Sequence, residues 1–125
     1  MNGPVHIVLD DTAMTAAATG NPLAARLIHR AHTETGWHLY APACALVEAD
    51  RARPGTAGRI TDLPGVTVLS LDLSAVLAVA QQATWAQAHV RHSAQPTPER
   101  PDGAVIATTD PDRWAGERVH VLRLV

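Results

Sequence analysis

The sequence contains no lysine and no phenylalanine, one tyrosine and one cysteine. A lone cysteine, Cys44, cannot form an internal disulfide and fits a reducing, cytoplasmic setting. No run approaches the roughly 18 apolar residues of a membrane span, and no charged-then-apolar signal peptide opens the chain, so a membrane protein is not expected. Because lysine is absent, all ten basic residues are arginine. Apart from histidine, any cationic contact to phosphate must therefore come from planar, bidentate guanidinium groups. The formal charge of -2 supplies no bulk basic field of the kind that marks nucleic-acid binding by composition. The abundance of alanine and arginine reads as the coding bias of a GC-rich bacterial genome.

What is present is an ordinary globular composition, 46% hydrophobic over 125 residues, the size of one domain with one core. Val5–Leu9 reads as a strand, and Thr12–Thr19 as a short alanine-rich helix broken by Gly20-Asn21-Pro22. Pro22 suits the first turn of a second helix, which Leu23, Leu27, Ile28 and Ala31 carry to about Thr35. Trp37–Tyr40 is a second strand. ACALVEADRA is a compact helix after Pro42, stopped at Arg53-Pro54-Gly55. A short helix at Ala57–Leu63 precedes a strand at Val66–Leu71. Asp72 or Ser74 caps a long helical region from Ser74 to Ala94, broken near Ala83. QPTPERPDG is a proline-rich loop, followed by a strand at Ala104–Ala107, a turn at Pro111–Trp114 and a last strand at Val119–Leu124. Strands separated by helices predict a layered α/β domain with a mainly parallel sheet, whose function gathers beyond the carboxyl ends of the strands.

Two strands end in acids: VHIVLDD at Asp10 and Asp11, and VIATTD at Asp110. If the strands are parallel neighbours, Asp10 and Asp110 emerge on one rim. A third acid, Glu48, interrupts an apolar helix. Carboxylates gathered at one edge repel each other unless a cation sits among them. Oxygen ligands without cysteine select a hard ion, Mg²⁺ or Mn²⁺. Each acid also has a structural alternative: Asp10 or Asp11 as a helix cap, Glu48 paired with Arg51, Asp110 capping the turn at Pro111.

The succession LDDTAM, YAPACALVEADR, TWAQAHVRHSA and VIATTDPDRW resembles the PIN-domain family, and within it the small bacterial VapC-like ribonucleases of toxin–antitoxin pairs. The resemblance runs over nearly the whole chain, and it implies one three-layer α/β/α PIN-like domain. It implies catalytic and metal-holding roles for Asp10, Glu48 and Asp110, with Thr12 as the hydroxyl beside the first acid. The implied activity is an Mg²⁺- or Mn²⁺-dependent endoribonuclease in which metal-activated water attacks an RNA phosphodiester. The implied partners are RNA, an antitoxin protein and a second copy of the chain in a homodimer.

One position departs from the family pattern. An aspartate usually opens the helix that here reads TWAQAHV, and this chain has Thr84 there. A hydroxyl is a weaker ligand and brings no charge. A second reading follows: a catalytically impaired PIN-like module that binds RNA or a protein partner. Gln87, Ala88 and Arg91 share the helical face of Thr84 by spacing, so Arg91 could touch a phosphate, balance the acids, or be a plain surface arginine. A phospho-acceptor receiver domain is rejected because its lysine is missing. The pairs His29/His32 and His89/His92 are assigned to surface or structural roles, Cys44 to the core, and Trp37, Trp85 and Trp114 to core or interface.

Overall fold

The computed structural model describes residues 3–125. Its elements follow the expected order, with β1 (Val5–Leu9), α1 (Asp11–Ala18), α2 (Pro22–Thr33), β2 (Trp37–Pro42), α3 (Ala43–Ala52) and α4 (Thr56–Thr61) forming the first half. The second half holds β3 (Val66–Leu69), α5 (Leu73–Val79), α6 (Trp85–Ser93), β4 (Val105–Thr108), a 3₁₀ turn (Pro111–Trp114) and β5 (Val121–Arg123). Local chemistry sets the boundaries. The Asn21 carboxamide accepts from the amides of Leu23 and Ala24 to start α2, with Pro22 at the position where a missing N–H costs nothing. Asp72 does the same for α5 through the amide of Ala75. The long helical region from Ser74 to Ala94 is broken near Ala83 as expected, since residues 80–84 leave the helix before Trp85 starts another. The edge strands are shorter than their apolar runs: β3 stops at Leu69 and β5 holds three residues.

The strands lie in the order β3-β2-β1-β4-β5, and all four pairings are parallel. Ile7 stands between Leu39 of β2 and Val105 of β4, fixing the register at the centre. The right-handed rule for parallel crossovers puts α1 and α2 on one face and α5 and α6 on the other, with α3 touching both α1 and α6, giving the three-layer α/β/α domain. This is the general architecture of PIN-like domains. Ile7, Val8, Leu9, Leu39 and Ile106 are buried in the sheet, with Met14, Leu27 and Ile60 packed on them from the helices. Each such side chain contributes roughly 1.5–3 kcal/mol by leaving water. Of the three tryptophans, Trp114 fills the core, Trp37 packs partly buried beneath Arg30, and Trp85 is 66% exposed.

The proline-rich loop returns to β4 through one demanding position. Gly103 has a φ of 73°, and a Cβ there would lie 2.4 Å from the carbonyl oxygen of Ala94. That approach lets Ala104 donate its amide to the same oxygen and delivers the chain into β4. Gly103→Ala should therefore destabilise the domain by about 1–3 kcal/mol, from left-handed strain alone before any clash. Urea denaturation checks this, and an unchanged midpoint would contradict it.

Candidate functional site

The strand order reverses between β1 and β4, which places the ends of these parallel neighbours side by side. Asp10 follows β1, and Asp110 follows β4 by one further threonine. Asp10 is wholly buried. Its Oδ1 accepts from the amide of Ala13 (2.8 Å) and the hydroxyl of Thr12 (2.6 Å), so it caps α1. Its Oδ2 accepts from the indole N–H of Trp114 (3.1 Å). Thr12 also joins the two strand ends, because its Oγ1 accepts from the amide of Thr109 (3.0 Å) and lies 3.1 Å from the hydroxyl of Thr108.

One cation sits among these acids. An Arg113 terminal nitrogen donates to Asp11 Oδ1 at 2.6 Å and lies 3.8 Å from Asp10 Oδ2. Arg113 Nε lies 3.7 Å from Asp110 Oδ2 and has no hydrogen-bond partner among the described residues. Asp110 itself is half-exposed and makes no side-chain capping bond to the 3₁₀ turn. Arg113 and Trp114 were not singled out as site residues from the sequence. Their position directly after Asp110-Pro111-Asp112 was the available signal, but only the 3₁₀ turn shows which way they face.

Glu48 is placed differently. It stands exposed on α3, facing a groove of about 690 Å³ whose lining includes Asp11, Arg51, Leu71, Thr84, Trp85 and Arg113. The groove lies beyond the carboxyl ends of the strands, where function was expected. Among the described residues no ion pair joins Glu48 to Arg51, so its carboxylate is available to the groove. Thr84 also lines the groove but precedes α6 and makes no capping hydrogen bond. Arg91 does not line it; its guanidinium makes a two-pronged ion pair with Glu117 and lies over the Trp114 ring. That pair holds the Arg91 pKa above its ordinary value. Cys44, expected in the core, is part-buried on the groove wall, and burial pushes its thiol pKa up, away from the reactive thiolate.

As arranged, these side chains do not fit a divalent ion. Among the described residues no three His, Cys, Asp or Glu side chains converge as a ligand set. Asp10, the most central acid, has both oxygens engaged by protein donors and none of its surface open to water. A hard ion with six or more oxygen ligands needs carboxylates that are free to turn toward it.

The groove wall depends on His89. The N-cap of α3 is Pro42, which offers no side-chain acceptor, and Nδ1 of the buried His89 instead accepts from the amide of Cys44 at 3.2 Å. Only the neutral imidazole can do this. Burial, reinforced by His92, holds the His89 pKa below 6.5, against weaker opposition from Asp72 and the Ser70 backbone. The unfolded chain therefore binds a proton that the folded chain resists. The stabilisation is complete above the unfolded pKa of about 6.5 and is lost as pH falls below it. Urea titrations at pH 7.5 and 5.5 should show wild type losing more stability across the interval than His89→Gln. Equal losses would mean that His89 does not carry this dependence.

Searches against protein-family models and against characterised proteins find no match to this chain.

Proposed function

We propose that this domain is a PIN-like binding module, and that its groove takes up a segment of a partner protein carrying apolar side chains and a basic residue. The observation that carries the reading is the separation of Glu48 from the other acids. Asp10, Asp11 and Asp110 are drawn onto Arg113, while Glu48 faces the groove unpaired. The groove walls are correspondingly apolar, with Val47 57% exposed and Trp85 66% exposed beside Leu71. Such a surface, rimmed by charge, marks an interaction site more often than an idle face. RNA is the less favourable occupant. Four carboxylates (Asp10, Asp11, Glu48 and Asp110) stand at or next to the groove against two guanidiniums (Arg51 and Arg113), so phosphate meets net repulsion.

NMR titration with three probes tests this: an amphipathic helical peptide with a central arginine, the same peptide with glutamate there, and a single-stranded RNA oligonucleotide. The arginine peptide should shift the signals of Glu48 and Trp85 and bind at least about tenfold more tightly than the glutamate peptide, a difference of about 1.4 kcal/mol. Glu48→Arg should reverse that order. RNA cleavage in Mn²⁺ should stay at the level of a heat-inactivated control. Manganese-dependent cleavage, or RNA outcompeting the peptide, would replace the binding reading with the nuclease.

A further inference from the structure

We infer that the Arg113 guanidinium is the resident cation of the strand-end carboxylates, making this domain independent of divalent metal. Asp10 and Asp11 come from the end of β1 and Asp110 from beyond β4, and Arg113 lies within 4 Å of a carboxylate oxygen of each. It thus spans the point where the strand order reverses. The guanidinium is covalently attached, so unlike a bound ion it cannot dissociate from the site. It cannot easily swing away either. Trp114, the next residue, is buried in the core with its indole N–H on Asp10, and this pins the backbone that carries Arg113. An incoming ion would have to displace a covalently attached charge and strip Asp10 of a hydrogen bond. Among the described residues Arg113 Nε has no hydrogen-bond partner and only a 3.7 Å approach to Asp110, so charge placement rather than a complete hydrogen-bonded fork holds that end of the guanidinium.

The inference shares with the binding reading the placement of Arg113 among the acids and the absence of metal-dependent cleavage, and its test reads neither peptide binding nor cleavage. Its test is manganese binding, read by the electron paramagnetic resonance of free Mn²⁺, alongside thermal melts in EDTA and in Mn²⁺. Wild type should take up no manganese at a tenfold excess over protein and should melt at one temperature in both conditions. Arg113→Gln leaves Asp11 and Asp110 without their cation and Asp10 held by its hydrogen bonds alone. It should melt lower in EDTA, bind about one Mn²⁺, and recover several degrees when the ion is added, by mass action. Arg113→Lys keeps the charge on a different frame and should stay folded and bind no manganese, which guards against a glutamine variant that fails to fold. A manganese-loaded wild type, a glutamine variant that melts like wild type in EDTA or that manganese fails to restore, or a lysine variant that gains the ion overturns the inference. Manganese on wild type with peptide recognition intact would sink this inference alone. No manganese with peptide recognition lost would sink only the binding reading.

Discussion

A wholly buried carboxylate must be surrounded by donors or carry a cost of several kcal/mol, and Asp10 is that carboxylate in this domain. It cannot be moved, because it starts α1 at the end of the central strand. Its surroundings follow from that constraint. Thr12 and Ala13 reach it from its own helix, Trp114 from the turn after β4, and Arg113 supplies the charge. Removing one partner of such a buried pair typically costs about 3–5 kcal/mol, a large part of the total stability of a domain this size. The contacts that tie β1 to the turn after β4 are therefore the contacts that neutralise Asp10.

The same constraint divides the acids into two sets. Once Asp10, Asp11 and Asp110 share Arg113, Glu48 is the one of these four acids with no ion-pair partner among the described residues. Glu48 sits on α3, whose first turn is capped from α6 by His89. The two walls of the groove, from α3 and from the start of α6, are thereby locked together. A groove built this way offers a fixed apolar wall with one free negative charge, a geometry suited to recognition.

Much of the fold was legible from the sequence because its signals are local. Short β-branched runs, helix-breaking Gly-Asn-Pro and Arg-Pro-Gly triplets, and Asp72 before an apolar helix each act within a few residues. The emergence of Asp10 and Asp110 on one rim was legible too, since it needs only that β1 and β4 be parallel neighbours. Other features depended on tertiary context. The break near Ala83 was legible, but not the residue at which α6 begins. That break puts Thr84 before the helix, so the face drawn through Gln87 and Arg91 could not be projected from it. Arg91 instead pairs with Glu117, 26 residues away. The direction of Arg113 is set by the 3₁₀ turn and the seating of Trp114, and no periodicity encodes either. The resemblance to PIN domains predicted the architecture but supplied no reason to look at an arginine beside the acids.

We propose that an arginine, not a metal ion, holds the strand-end acids, and Trp114 reports on it directly. The Trp114 indole N–H donates to Asp10 from 3.1 Å, so it would lie within a few ångströms of any ion bound by that carboxylate. In a ¹⁵N-labelled sample, a paramagnetic ion so close would broaden the indole resonance beyond detection at substoichiometric Mn²⁺. With Arg113 in place, this resonance should keep its intensity while manganese is added to a tenfold excess over protein. Its selective disappearance at less than one equivalent would place the ion on Asp10 and overturn the assignment of Arg113 as the resident cation.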